Sequence, residues 1–256
     1  MSSGAALSQA QRQPQLRGQT VVVIGGSSGI GLETARRARA EGADVVLTGR
    51  NLEHLQRVSD ELGALSIAAF DVTDAGRVEG FFEGLSTPID HVMVTAGGPY
   101  YASLADIDLG EASRSLDAHL WLAVRVARVA AAKMRPGGTL LFMTGTGARR
   151  AGVGLAVASS ITLALGALIP NLALEVAPVR ANLIAAGFVD TPLSASLLGD
   201  DLERRRDQLR ATLPIGRVVG PADVAALAVH IMSNTALTGA TFDIDGGEQL
   251  VSGAST

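Results

Sequence analysis

Seven short apolar runs, each separated from the next by a stretch with helical periodicity, constrain the fold of this chain more than any other feature. The runs cover residues 20–26, 43–49, 65–70, 89–96, 138–144, 180–186 and 238–245. Their near-continuous content of Val, Ile, Leu and Ala is typical of strands that are covered on both faces. The alternation predicts a doubly wound α/β fold: a parallel seven-stranded sheet with helices on both faces, whose ligands bind beyond the carboxyl ends of the strands.

The segments between the runs contain residues typical of helix ends, and one of these segments interrupts the alternation of strand and helix. Asn51 precedes a helical stretch that stops at Gly63, and Pro221 stands near the first position of another helix. Residues 191–217 break the alternation with a charged mixture of helix and loop, which predicts a lid over a bound ligand. Residues 1–17 are polar, lack the layout of a secretory signal, and are expected to form a flexible tail before a single domain at 18–256.

Composition excludes several classes of function. The chain has 256 residues, no cysteine and a net charge of −4, which argues against disulfides, a thiolate metal site and nucleic-acid binding. Its four histidines are too scattered to predict any metal site. Residues 151–174 carry no charge, but their glycine, proline and polar residues favour a helix buried on the sheet over a membrane span. We therefore expect a cytoplasmic protein with a small-molecule substrate.

A glycine-rich turn follows the first predicted strand directly. Glycines at 25, 29 and 31 permit a tight turn and close approach of a ligand to the backbone. The helix that follows offers unpaired N–H groups and the positive end of its dipole to an anion. The turn therefore predicts a binding site for the pyrophosphate of a dinucleotide, formed by Gly25, Ser27, Ser28, Gly29, Ile30 and Gly31.

The pattern Gly-x-x-x-Gly-x-Gly resembles that of the short-chain dehydrogenase/reductase family. FDVTD at 70–74, TAGG at 95–98 and VRANLIAAGFVDTPL at 179–193 resemble further family motifs, so the resemblance covers about residues 17–250. It implies a Rossmann-type fold, an adenine contact from Asp71 and a nicotinamide carboxamide contact from Thr191. The cofactor-binding residues that it adds to the glycine-rich turn are Asp71, Val72, Ala96, Gly97, Gly187, Val189 and Thr191.

The end of the second predicted strand bears on the choice of cofactor. A ribose 2′-hydroxyl favours an acidic partner there, whereas a 2′-phosphate favours a cation. In this chain Gly49 takes the place of the acid and Arg50 follows, with a guanidinium whose planar fork matches phosphate. We therefore expect NADP(H) in preference to NAD(H).

The positions that the resemblance assigns to catalysis are all replaced. The family uses a tyrosine to exchange a proton with the substrate, a lysine to lower the tyrosine pKa, a serine to orient the carbonyl and an asparagine to support a water. The matching positions here are Ala158, Thr162, Gly145 and His119, in that order. No Tyr-x-x-x-Lys exists, because the only tyrosines are residues 100 and 101 and the only lysine is residue 133.

Three interpretations remain open. The first is an oxidoreductase acting on a carbonyl or alcohol, with His119, Tyr100 or Tyr101 as a non-standard proton donor. Arg149 is then a candidate anchor for an acidic substrate group. The second is a catalytically silent family member, either a sensor of NADP(H) or an inactive subunit. The third is a non-redox enzyme, such as an isomerase or dehydratase, that reuses the pocket.

Quaternary structure is a further implication of the resemblance. Family members commonly assemble through two long helices, which correspond here to residues 113–134 and 155–174. Small residues such as Ala158, Ser159 and Gly166 would permit close packing, and the uncharged second helix is typical of a buried surface. We expect a homodimer or homotetramer, or a hetero-oligomer with an active member of the family.

Overall fold

The strands form one parallel sheet in the order β3-β2-β1-β4-β5-β6-β7, in a computed structural model that describes residues 15–86 and 88–251. All six pairings between neighbouring strands are parallel, which confirms the predicted doubly wound sheet. The strands are β1 Thr20–Ile24, β2 Asp44–Gly49, β3 Ser66–Ala69, β4 Ile89–Val94, β5 Met134–Gly145, β6 Arg180–Ala186 and β7 Thr241–Ile244.

Helices cover both faces of this sheet. Single turns of 3-10 helix lie at Ala131–Lys133, Gly147–Arg149, Gly199–Asp201 and Glu248–Leu250, and a π-helical turn lies at Asp117–Trp121. The α-helices are α1 Gly29–Ala40, α2 Leu52–Leu62, α3 Ala75–Gly84, α4 Leu109–Leu116, α5 Leu122–Ala130, α6 Ala156–Glu175, α7 Pro192–Leu198, α8 Leu202–Thr212 and α9 Pro221–Ser233.

The apolar runs are continuous because each strand supplies side chains to two cores. In β1, Val22 and Ile24 belong to the core beneath α3, α5 and α6, while Val21 and Val23 belong to the core beneath α1, α2 and α9. All four side chains are fully buried. A strand with this burial has no polar face, which is why alternation of apolar and polar residues is absent from the sequence.

Local signals place several helix ends as predicted. The side chain of Asn51 accepts a hydrogen bond from the His54 backbone N–H at 2.9 Å, and Gly63 ends α2 in the left-handed region with φ +62°. Pro221 occupies the first turn of α9.

One predicted helix is different in the structure. The segment predicted as a helix at 113–134 begins earlier, at Leu109, and is divided by the π-helical turn. It ends before Met134, which pairs with Ile89 as the first residue of β5. Pro136 explains this end, because proline lacks a backbone N–H and disfavours helical geometry in the residue before it.

The N-terminal boundary also differs from the predicted tail. Residues 1–14 lie outside the described part of the chain, but Leu16 is fully buried and its N–H donates to the Glu41 carbonyl at 2.9 Å. The packed structure therefore includes residues that the sequence assigned to the tail.

Helix α6 is long and apolar enough to cross a membrane by length and composition alone. Its inner face, however, contributes Ile161, Leu165 and Ile169 to the core, where each is at most 4% exposed. This packing is that of a core helix on a sheet, as the sequence predicted.

Candidate functional site

The site lies where the strand order reverses, between the carboxyl ends of β1 and β4. The backbone N–H of Thr95 donates to the Ile24 carbonyl at 2.8 Å, and its hydroxyl donates to the Gly25 carbonyl at 3.1 Å. These bonds join the glycine-rich turn to the loop after β4. Ligands of doubly wound sheets bind at such a switch point.

The glycine-rich turn has no room for side chains at its critical positions. Gly25 has φ +90°, and a Cβ there would lie 2.8 Å from the Ala96 nitrogen. A Cβ on Gly31 would overlap the Gly25 carbonyl oxygen. Ser28, the N-cap of α1, makes no side-chain capping bond, so the first N–H groups of this helix are available to an anion.

The loop after β6 closes the other side of the turn. A Cβ on Gly29 would lie 3.5 Å from the Cβ of Thr191, so these two predicted cofactor residues flank the same space. The Thr191 hydroxyl accepts from the Ser194 N–H at 3.2 Å and thereby caps α7. Val189 is buried and forms a parallel bridge with Val219.

The C-terminal segment holds this loop in place. The carboxylate of Glu248 accepts from the Phe188 N–H at 3.2 Å and from Arg205 of α8 at 2.6 Å. A Cβ on Gly187 would lie 2.7 Å from that of Asp245, so the contact is close. Sequence reasoning missed Glu248, because its partners lie 60 and 43 residues away and no local motif links them.

The end of β2 has little room for an acidic side chain. A Cβ on Gly49 would lie 2.9 Å from Leu55 Cδ1 and 3.1 Å from Ser27 Oγ. Arg50 is exposed beside this point.

Asp71 lies beyond β3, on the same edge of the sheet. The N–H and hydroxyl of Thr73 donate to its carboxylate and hold its pKa below the usual value, and the Arg50 guanidinium contributes to the same shift. Val72 beside it is half-buried against the core.

The three residues of β5 and α6 that the sequence analysis matched to the family's catalytic positions, Gly145, Ala158 and Thr162, carry no ionisable group. Ala158 and Thr162 are both buried on the inner face of α6. The Thr162 hydroxyl lies 3.1 Å from that of Thr144 and 3.4 Å from the Gly145 carbonyl. A Cβ on Gly145 would meet nothing closer than the Ala186 oxygen at 3.8 Å, so space remains where the family's serine would stand.

His119 lies in the π-helical turn and faces the loop after β4. Its Nδ1 is 2.7 Å from the Ser115 carbonyl, so this nitrogen carries the proton and donates it. Its Nε2 would lie 3.0 Å from a Cβ on Gly97, next to the predicted cofactor residue Ala96. Desolvation lowers the His119 pKa, although the bond to Ser115 opposes the shift. The imidazole is therefore neutral at pH 7, with Nε2 as an acceptor.

The other candidate donors are less well placed. The Tyr100 hydroxyl accepts from the Asp108 N–H at 2.8 Å, where it supports the start of α4. Tyr101 is 55% exposed, and partial desolvation raises its pKa, which is opposite to the shift that proton exchange near neutrality requires. Arg149 is paired with Asp243 at 2.5 and 2.7 Å, so its guanidinium is engaged with β7 and is not free as a substrate anchor.

A glycine-rich turn at the switch point of a parallel sheet defines a dinucleotide-binding α/β protein of the Rossmann type. The profile of a family described as enoyl-(acyl carrier protein) reductase matches residues 24–249. Together with relatives that bear the family name, this match shows that the chain belongs to the short-chain dehydrogenase/reductase family.

Three relatives illustrate the similarity. An NADP-dependent (R)-specific alcohol dehydrogenase of Lentilactobacillus kefiri is 28% identical, over 91% of this chain and 97% of its own. The structure of MalC reductase/Diels-Alderase from Malbranchea aurantiaca has a TM-score of 0.86 at 26% identity, covering 93% of this chain and 99% of its own. A small-chain dehydrogenase in complex with NADPH has a TM-score of 0.78 at 28% identity, covering 91% and 99%.

The described residues fit the dinucleotide that such relatives bind. The turn at Gly25 and Gly31 leaves a cradle that a Cβ would fill, and the uncapped start of α1 faces it with N–H donors.

Proposed function

We propose that this protein is an NADP(H)-binding oxidoreductase that acts on a carbonyl or alcohol group of a small molecule, with His119 as its proton-exchanging residue. The observation that carries the proposal is the geometry of that imidazole. Its Nδ1 is fixed by Ser115 while its Nε2 faces Gly97, beside the cofactor cradle. Tyr100 and Tyr101 remain the alternative donors, but the Tyr100 hydroxyl is engaged with the Asp108 N–H and the Tyr101 pKa is raised.

The cofactor assignment follows the family resemblance residue by residue. NADP(H), when bound, supplies or accepts the hydride. The residues of the glycine-rich turn hold the pyrophosphate through backbone N–H groups, and Arg50 holds the 2′-phosphate. Preference over NAD(H) is supported by the restricted space at Gly49, by one NADP-dependent relative and by two NADPH-bound neighbours. The remaining contacts come from Asp71, Val72, Ala96, Gly97, Gly187, Val189 and Thr191.

His119 acts in one direction as a base and in the other as an acid. The neutral imidazole accepts the hydroxyl proton of an alcohol at Nε2, whereas reduction of a carbonyl needs the protonated form. Because its pKa is lowered, the base is abundant at neutral pH and the acid is scarce. General acid–base catalysis contributes a factor of about 10² to 10⁴ to rates of this kind.

Nucleotide titration followed by a substrate screen tests the proposal. Purified protein is titrated with NADPH and NADH by fluorescence, and carbonyls and alcohols are then assayed with wild type, His119→Ala, Tyr100→Phe and Tyr101→Phe. We expect tighter binding of NADPH and turnover that falls by a factor of about 10² or more only in His119→Ala. Absence of nucleotide binding would refute the cofactor assignment, and full activity of His119→Ala would refute the role of the histidine.

A second candidate function is nucleotide binding without hydride transfer. It is favoured by the absence of ionisable side chains at Gly145, Ala158 and Thr162. Such a protein would be a sensor of NADP(H), the inactive subunit of a hetero-oligomer, or a non-redox enzyme; one structural neighbour is named both reductase and Diels-Alderase. Tight NADPH binding with no turnover in the screen, and no cofactor oxidation during any substrate conversion, would favour this candidate.

We also propose assembly through the outer face of α6. Leu163 is 65% exposed and Leu174 is 80% exposed, and Trp121 on the π-helical turn beside α6 is 53% exposed. Several large apolar side chains that are exposed on one surface indicate a site of interaction with another protein. Light scattering of wild type and Leu163→Arg tests it: we expect a homodimer or homotetramer that dissociates in the variant. A monomeric wild type that gains mass only with an active family member indicates a hetero-oligomer.

A cytoplasmic location is the remaining proposal. It is supported by the similarity to dehydrogenases and by the packing of α6 on the sheet. Cell fractionation tests it, because recovery of the protein in the washed membrane fraction would contradict it.

A further inference from the structure

Two arginines beside the nucleotide cradle form no ion pair among the described residues, although Arg50 is near enough to Asp71 to contribute to its lowered pKa. Among the described residues, neither Arg50 nor Arg57 lies within ion-pair distance of a carboxylate. On neighbouring α1, by contrast, Arg36 lies 3.6 Å from Glu33 and Arg39 lies 3.1 Å from Asp44. A guanidinium that is outside any ion pair at the edge of a site is suited to an anionic ligand.

Arg57 is tied to the glycine-rich turn through a histidine. The Nε2 of His54 is 2.9 Å from the Ser27 carbonyl, so it carries the proton and donates. Its Nδ1 then has a free lone pair, which accepts from Arg57 Nη2 at 3.3 Å. Through this acceptor nitrogen the imidazole holds the guanidinium in place without neutralising its charge, and the remaining N–H groups of Arg57 stay available.

The contacts from Arg57 through His54 lead to Ser27, which lies beside the end of β2. Ser27 is the residue whose Oγ would lie 3.1 Å from a Cβ on Gly49, and Arg50 follows Gly49 directly. We propose that Arg57 is a second cation for the 2′-phosphate of NADP(H), alongside Arg50, and that His54 is the positioning residue that orients it. This inference rests on the proposed cofactor preference and adds specificity-determining residues to it.

Calorimetric titration of the full chain with NADP⁺, NAD⁺ and adenosine 2′,5′-bisphosphate tests the inference without any catalytic turnover. We expect Arg57→Gln to weaken binding of the two ligands that carry a 2′-phosphate by about tenfold, the loss of one charge-assisted bond, and to leave NAD⁺ binding unchanged within about twofold. Arg57→Lys should retain part of the lost affinity. His54→Leu should lower the same selectivity by a smaller factor, because Arg57 keeps its charge but loses its anchor.

Arg17→Gln is the matched control. Arg17 is exposed and precedes β1, at the amino end of the strand whose carboxyl end carries the glycine-rich turn. Equal effects of Arg57→Gln on NADP⁺ and NAD⁺, or effects no larger than those of Arg17→Gln, would overturn the inference. If wild type binds neither nucleotide, the proposed function fails as well. If wild type prefers NADP⁺ and only Arg50→Gln removes that preference, the inference alone fails.

Discussion

At the scale of single residues, the environment of His119 decides what its imidazole can do. The resemblance predicts that the residue stands where the family has asparagine, and that prediction comes from sequence alone. Its protonation state could not be predicted in this way, because the lowered pKa comes from burial and the fixed Nδ1 comes from the Ser115 carbonyl. The bond to Ser115 is local, four residues back along the same helical stretch, whereas the position of Nε2 depends on how the π-helical turn packs against the loop at Gly97.

The pH dependence of catalysis tests this state of His119. Because the pKa lies below the ordinary value of about 6.5, we expect alcohol oxidation to be constant above pH 6.5 and to fall as pH drops through the lowered pKa. The rate of carbonyl reduction should show the opposite dependence and rise as the pH falls. Profiles of kcat/KM from pH 5 to pH 8 measure both directions. In His119→Ala the residual rates should lose this dependence; an unchanged profile would assign the proton to another group.

An acidic side chain at the end of β2 should weaken the binding of NADPH. In Gly49→Asp the new Cβ must displace Leu55 or Ser27, and the carboxylate adds a negative charge where a 2′-phosphate is proposed to bind. We expect NADPH affinity to fall by a factor of about ten or more, since like charges in one site are costly. Gly84→Asp is the control, because a Cβ on Gly84 meets nothing within 4 Å. Equal affinities in the two variants would contradict the prediction.

At the scale of helices and strands, the sequence predicts those features that depend on a local pattern of residues. Six of the seven strands lie within their predicted runs, and β5 contains its run and extends beyond it at both ends, because two-sided burial demands long apolar sequences. The two caps of α2, Asn51 before its first residue and Gly63 after its last, could be predicted because asparagine is preferred at N-caps and glycine at left-handed C-caps. The π-helical turn has no such signal in the sequence. The ties from Glu248 to Phe188 and from His54 to Ser27 are equally invisible in the sequence, because they join distant residues.

A pair of glycine substitutions tests whether the first turn is limited by space. In Gly31→Ala the methyl group would overlap the Gly25 carbonyl and lie 2.6 Å from Thr95 Oγ1. We expect a loss of about 1–3 kcal/mol in the free energy of unfolding, together with loss of NADPH binding. Gly80→Ala in α3 adds its methyl where nothing lies within 4 Å and should stabilise by about 0.5–1 kcal/mol. Urea unfolding measures both, and a Gly31→Ala protein as stable as wild type would contradict the steric argument.

At the scale of the whole molecule, a buried histidine couples folding to pH. His91 lies in the central strand β4 and is 3% exposed; its Nε2 is 2.7 Å from Gln19 Oε1, and its Nδ1 has no partner among the described residues. Burial, followed by the positive charge of Arg180, lowers its pKa to about 3. The imidazole is therefore neutral in the folded protein across most of the acidic range, whereas in the unfolded chain it titrates near 6.5.

The folded protein should therefore lose stability on acidification over a defined range. Above pH 6.5 neither state binds a proton at His91, so its contribution is complete; between pH 6.5 and pH 3 only the unfolded state does. Well inside this window each pH unit costs about 1.4 kcal/mol, and the loss between pH 6.5 and pH 4.5 is about 2 kcal/mol, because the unfolded histidine is already half protonated at pH 6.5. Urea unfolding at these two pH values should show a decline smaller by about that amount in His91→Gln than in wild type. His230→Gln, at an exposed position of α9, should decline like wild type. An identical decline in all three proteins would mean that His91 titrates alike in both states and that acid sensitivity resides in other groups, His119 among them.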